Sequence, residues 1–106
     1  MKIAINGCFG GASLSKEAYD YLGIPWDGYG FEFSSGKLEV RTDPKLIEVI
    51  EVLGKKANGE SANWCIVTVP DDVSVFIDEY DGWENVQEAH RVWEADGSCV
   101  NYSDDY

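Results

Sequence analysis

The sequence predicts a single α+β domain over residues 1–106, with two helices packed on a mainly antiparallel β-sheet of four to five strands. The chain has 106 residues, which is enough for one core and too few for two of ordinary size. An apolar share of 44% indicates a packed interior and argues against a disordered chain. Two segments show the helical spacing of apolar residues, and several shorter runs alternate as strands do.

The first part of the chain predicts a strand, a sharp turn and a helix. Lys2–Asn6 has the alternation of a short strand, and the turn from Gly7 to Gly11 contains three glycines that suit left-handed backbone. Ser15 is a good N-cap for the helix that follows, and Gly23 is well placed at its end. This order resembles the layout of a phosphate-binding loop, but the Gly-Lys-Ser/Thr of a P-loop is missing.

The segment between the two predicted helices is rich in glycine and aromatic residues. Phe31 and Phe33 flank Glu32 and predict a short strand with both rings pointing inward. Residues 37–41 alternate charged and apolar positions and predict another short strand. The aromatic stretch from Trp26 to Phe33 has two interpretations: core packing, or an exposed loop that binds a ligand.

The second predicted helix covers residues 43–53. Asp43 is its expected N-cap, Pro44 occupies the first helical position, and Gly54 stands just past the end. Its apolar positions form one stripe, made by Leu46, Ile47, Ile50 and Leu53. This helix is expected to serve as a scaffold.

The remaining elements are predicted to be strands. Residues 63–69 are largely apolar on both faces, as in an internal strand, and residues 73–78 alternate. Asp81-Gly82 is a strong hairpin signal. Residues 83–93 are predicted to be the returning strand, with a short helix over 84–91 as an alternative, and residues 99–102 are predicted to be the last strand.

The negative charge is concentrated in the second part of the chain. The formal net charge is −12, and after Gly59 there are twelve acids against Arg91 alone. Such a field repels nucleic acid, acidic substrates and anionic membranes and attracts basic surfaces, although it also serves solubility. The carboxylates predicted to bind a partner lie between Val69 and Trp93: Asp71, Asp72, Asp78, Glu79, Asp81, Glu84 and Glu88.

No catalytic, metal or cofactor motif is found in the sequence, so we expect a protein that is not an enzyme. The stretch around Asp78 places Tyr80 where a calcium loop needs an oxygen ligand. The three cysteines are widely spaced and predict neither a disulfide framework nor a zinc site, and Cys65 is expected to be a buried thiol. Cys8 and the single histidine, His90, are a weak candidate for a catalytic pair.

Carboxylates spaced along a hairpin can imitate the phosphate rows of a nucleic acid. Duplex DNA carries one charge per ~1.7 Å of helix axis. Strand residues on one face recur only every ~6.6 Å. One acidic strand is therefore too sparse, and two acidic strands with acidic turns would be needed. The acids that could supply them, and so support nucleic-acid mimicry, are Asp71, Asp72, Asp78, Asp81, Glu84 and Glu88.

Several short motifs resemble a group of small bacteriophage-encoded proteins of unknown function. The opening Asn6-Gly7-Cys8-Phe9-Gly10-Gly11, followed by Ser13-Leu14-Ser15, is similar to their N-x-C-[FY]-G-G-x-x-L-S motif. The resemblance implies a phage origin and action in the host bacterial cytoplasm. Small acidic phage proteins often block host nucleic-acid machinery, so the resemblance also implies an anti-CRISPR or other anti-defence inhibitor.

Two functions follow from the sequence. The first is an acidic inhibitor that binds a basic host protein, such as a CRISPR effector, without contacting nucleic acid or membrane. The second is a phage binder of a small nucleotide signal or other ligand, through the turn from Gly7 to Gly11 and the aromatic loop from Trp26 to Phe33. Self-association into a homo-oligomer is a further expectation that the sequence leaves open.

Overall fold

The computed structural model of the chain describes residues 1–88 and the backbone of residues 92–94, and it confirms a small α+β fold. Three α-helices, one 3₁₀ turn and five strands lie in this part of the chain. In order they are β1 (Lys2–Asn6), α1 (Lys16–Leu22), α2 (Leu38–Arg41), α3 (Pro44–Leu53), the 3₁₀ turn (Gly54–Ala57), β2 (Trp64–Thr68), β3 (Phe76–Tyr80), β4 (Trp83–Gln87) and β5 (Val92–Glu94). None of the helices in the described residues is long and apolar enough to cross a membrane.

The strands form two antiparallel sheets, and the expectation of one continuous sheet is not confirmed. One sheet pairs β1 with β2, and the other has the order β3-β4-β5. The two sheets meet where the backbone N–H of Asn6 donates to the Glu84 carboxylate at 2.7 Å. Because the acceptor is a side chain, this hydrogen bond does not belong to a ladder of backbone bonds such as joins neighbouring strands of one sheet.

The signals at the helix ends predicted both longer helices correctly. The Ser15 hydroxyl accepts a hydrogen bond from the backbone N–H of Ala18, and Gly23 ends α1 in the left-handed conformation. The Asp43 carboxylate accepts from the backbone N–H of Lys45 at the start of α3. These contacts satisfy backbone groups that a helix end leaves without internal partners.

Four strand predictions need correction. The strand expected over residues 73–78 is displaced to Phe76–Tyr80, because the turn at Asp71–Asp72 is followed by a bend at Val73. Residues 38–41 form the short helix α2, and residues 31–36 contain a turn and no strand, with the Phe31 ring half-exposed. The physical reason is that the Arg41 side chain donates to three successive backbone carbonyls and curls the chain around itself: those of Phe33, Ser34 and Ser35. The predicted strand over residues 83–93 divides into β4 and β5. The predicted strand over residues 99–102, together with His90 of the Cys8–His90 pair, lies outside the described residues.

The β1–β2 sheet has apolar residues on both faces, as predicted for residues 63–69. One face contacts the helices and contains Ala4, Trp64 and Ile66. The opposite face contains Ile3, Ile5, Cys65 and Val67, and it packs on Val86 of β4. Cys65 is disulfide-bonded, so the expectation of a buried free thiol is wrong.

The turn from Gly7 to Gly11 packs against the turn of the β3–β4 hairpin. The backbone N–H of Gly10 donates to the Asp81 carbonyl at 2.8 Å. A Cβ atom at Gly82 would lie 1.5 Å from the Gly10 carbonyl oxygen, and Gly82 has a φ of +91°. The glycines therefore allow two turns to pack against each other, and the N–H of Gly10 is already occupied by a protein carbonyl.

Substituting Gly82 by alanine tests this close contact. We expect Gly82→Ala to lower the free energy of unfolding by clearly more than the ~1–2 kcal/mol that a left-handed conformation costs an L-residue. Gly28→Ala is the matched control, since Gly28 has a φ of +88° but nothing within 4 Å of an added Cβ. Urea denaturation of both variants measures the difference, and equal losses would show that the contact between the turns contributes nothing.

A candidate binding surface on the acidic hairpin

The acidic hairpin, defined as residues 71–88, separates the predicted partner-binding acids into three groups. Five of them are exposed, Glu88 is half-buried and Glu84 is buried with 6% of its surface exposed. The exposed carboxylates are Asp71, Asp72, Asp78, Glu79 and Asp81. Most of the predicted set therefore lies at the surface, on β3 and on the two turns that flank it.

Glu84 has a structural role in place of the predicted surface role. Its carboxylate forms a two-pronged ion pair with the fully buried guanidinium of Arg41, with Arg41 Nη2 and Glu84 Oε2 2.7 Å apart. It also accepts the backbone N–H of Asn6. Both oxygens of this carboxylate accept hydrogen bonds from the protein, and its side chain is buried, so Glu84 is not part of the exposed acidic surface.

Within residues 1–88, the exposed carboxylates of the hairpin form no ion pair with a lysine or arginine side chain. Within residues 1–88, the only ion pair that includes one of them joins Asp71 to the amino group of Met1. Glu79 accepts the backbone N–H of Gly82 at 2.6 Å, which stabilises the hairpin turn. The lysines of the first part of the chain therefore do not neutralise the carboxylates of Asp72, Asp78, Glu79 and Asp81.

Two exposed aromatic rings flank the carboxylate of Asp78 on the outer face of β3. The side chains of Phe76 and Tyr80 are 55% and 74% exposed, and both lie two residues from Asp78. Since alternate residues of a strand point to the same face, the three side chains form one row. These rings were not among the predicted site residues. The alternation of Val73, Val75 and Ile77 nevertheless implied that the residues between and after them point outward.

The described residues contain no metal-binding constellation. No group of three His, Cys, Asp or Glu side chains there is arranged to hold a metal ion. Cys8 is a half-buried free thiol, and its Sγ donates to the Phe9 carbonyl at 3.5 Å. The acidic hairpin presents exposed carboxylates and aromatic rings.

A second candidate site is the aromatic groove, a cavity of about 420 Å³ between the glycine turn and the loop after α1. It brings together the two segments that the sequence proposed as a ligand site, since its lining includes Gly11, Lys16, Trp26, Tyr29 and Phe31. The Tyr29 and Phe31 rings are stacked with centroids 5.9 Å apart and an angle of 9° between their planes. Aromatic faces of this kind accept planar rings of ligands.

Asp27 organises the loop that carries these rings. Its carboxylate accepts the backbone N–H groups of Gly30, Tyr29 and Phe31. These bonds, that of Gly30 foremost, lower the pKa of Asp27 from 3.8 to about 2, and the Tyr19 hydroxyl adds to the effect. Because the folded pKa is lowered, this stabilisation is complete above pH ~4 and is lost as the pH falls towards 2.

Comparison with known proteins leaves the function to be argued from these surfaces. No protein family matches the chain, and no curated protein or solved structure is significantly similar to it.

Proposed function

We propose that this protein is a non-enzymatic, phage-encoded acidic inhibitor that binds a basic, nucleic-acid-handling protein of the bacterial host, with a CRISPR effector as the leading case. The observation that carries the proposal is the set of exposed carboxylates on the acidic hairpin that no lysine neutralises. A field of this sign steers basic partners toward the hairpin and repels nucleic acid.

The spacing of the exposed carboxylates indicates which kind of binding surface the hairpin forms. With Glu84 paired to Arg41, β4 contributes no exposed carboxylate, and the acids of β3 and its turns remain. Strand positions on one face recur every ~6.6 Å, against one charge per ~1.7 Å of duplex axis, so the hairpin is too sparse to copy a phosphate row. The surface instead combines carboxylates with Phe76 and Tyr80, a mixture that suits the basic and apolar groups of a protein interface.

The proposed place of action is the host cytoplasm. A structural disulfide such as that at Cys65 is uncommon in a reducing cytosol, and the proposed contacts do not involve it. Cys65 is buried in β2, in the apolar cluster that also contains Val86 of β4.

A neutralised hairpin tests the proposal. The variant Asp72→Asn/Asp78→Asn/Asp81→Asn removes three exposed charges and keeps a residue type that tolerates the positive φ of 50° at position 81. We expect capture of basic nucleic-acid-binding proteins from a bacterial lysate to fall about 10- to 100-fold, since rim charges contribute mainly to steering and complementarity. Capture by the unchanged protein should fall similarly between 50 and 500 mM KCl.

The control variant removes the same number of charges from the exposed positions of α1 and α2, as Glu17→Gln/Asp20→Asn/Glu39→Gln. It should retain the captured proteins, because the hairpin is intact. Equal losses in the two variants would mean that net charge alone is responsible. An unchanged set of captured proteins with the neutralised hairpin would refute the proposal.

A second function is supported by the aromatic groove: binding of a small nucleotide signal or similar ligand. The supporting observation is that Gly11, Lys16 and the stacked Tyr29 and Phe31 rings line one cavity. A planar base would stack on the rings, and the Lys16 ammonium would be available to a phosphate.

Titration with nucleotides tests this second function. A bound nucleotide should raise the unfolding temperature, and the increase should grow with the logarithm of its concentration above Kd. Tyr29→Ala should abolish the shift, and Tyr80→Ala, which removes an equally exposed ring from the acidic hairpin, should leave it unchanged. No shift with any mono-, di- or cyclic dinucleotide at millimolar concentration would reject this function.

A further inference from the structure

We propose that the open edge of β3 binds a basic, extended segment of the partner as an additional strand of the β3-β4-β5 sheet. The inference rests on the proposed function and deepens it, since it names the part of the hairpin that is used and the shape of the partner. Among the described residues, β3 is the edge strand of its sheet and pairs only with β4. A strand in this position presents a row of unpaired backbone donors and acceptors.

The hairpin turn determines which backbone groups face the open edge. Asp81 and Gly82 both have positive φ, at 50° and 91°, as in the two-residue turns that close on a hydrogen-bonded pair. That pair is Tyr80 and Trp83. Bonded and non-bonded pairs alternate along an antiparallel ladder, so the N–H and C=O groups of Ile77 and Glu79 point away from β4.

Those outward groups have no backbone partner among the described residues. Outside the strand ladders, the backbone hydrogen bonds of residues 1–88 do not include Ile77 or Glu79. Glu79 is exposed and Ile77 is half-buried, with its side chain in the core beneath the sheet. Two donors and two acceptors are therefore available to an incoming strand.

The side chains of the outer face identify the chemistry of that strand. Phe76, Asp78 and Tyr80 point to one face at a spacing that matches alternate residues of a neighbouring strand. A lysine or arginine opposite Asp78 would gain a charge pair, and cations beside the two rings would gain cation–π contacts. Asp81 and Glu79 extend the negative field along the same strand.

The same charges disfavour a second copy of this chain at the edge. Two copies would bring their β3 carboxylates together at a formal net charge of −12 each. Charged side chains on edge strands are a common means by which proteins prevent such pairing. Charge complementarity thus favours a basic occupant over self-association.

A synthetic seven-residue peptide of alternating lysine and valine is the probe. Adding it to the ¹⁵N-labelled protein in 50 mM KCl should slow hydrogen exchange of the Ile77 and Glu79 amides at least tenfold, while the amides already bonded to β4 change little. Glu79→Pro should weaken peptide binding at least tenfold more than Glu79→Ala does. Both variants lose the carboxylate, but only proline removes the outward N–H, which an edge strand tolerates.

The possible results separate this inference from the proposed function. Salt-sensitive binding without protection of Ile77 and Glu79, or equal affinities for the two Glu79 variants, would overturn strand addition while charge recognition stands. Absence of peptide binding at millimolar concentration would also overturn it, and the lysate capture would then decide the proposed function separately. Protection that appears without peptide and grows with protein concentration would assign the edge to a second copy and overturn the inference.

Discussion

The buried ion pair between Arg41 and Glu84 is the interaction on which the rest of this structure depends. The guanidinium is completely inaccessible, lies 5.1 Å from the centre of the Trp64 ring, and donates to carbonyls of β1 and of the loop before α2. Glu84 in turn accepts from β1 through Asn6. Both charges are removed from water at a cost of several kcal/mol each, and the surrounding hydrogen bonds are what make that burial tolerable.

This pair also explains how the hairpin can be acidic on one side and structural on the other. Glu79 and Glu84 are opposite each other in the β3–β4 register, an arrangement that is destabilising for two free carboxylates. Arg41 neutralises Glu84, and Glu79 binds the hairpin turn through Gly82. The exposed acids and the Phe76 and Tyr80 rings therefore lie on a hairpin that the buried ion pair anchors to the first sheet.

Local sequence signals correctly predicted the helix ends and the hairpin turn, which depend on residues close together in the chain. Ser15 and Asp43 cap their helices as expected, and Asp81-Gly82 forms the hairpin turn. The partners Arg41 and Glu84 are 43 residues apart, and no spacing rule links them. Because that long-range pair was unknown, the alternation in residues 37–41 suggested a strand, and Glu84 was assigned to the surface. The exposed row on β3 could have been found, since Val73, Val75 and Ile77 imply that Phe76 and Tyr80 point outward.

The most direct test of this account is a double-mutant cycle on the buried pair, measured as free energies of unfolding of Arg41→Met, Glu84→Gln and the double variant. Each single change should cost about 3–5 kcal/mol, because it leaves a buried charge without its partner. The double variant should cost less than the sum by at least about 2 kcal/mol, the range seen for residues in one network. Additive losses within about 0.5 kcal/mol, the behaviour of independent sites, would contradict the claim that this pair holds the hairpin against the first sheet.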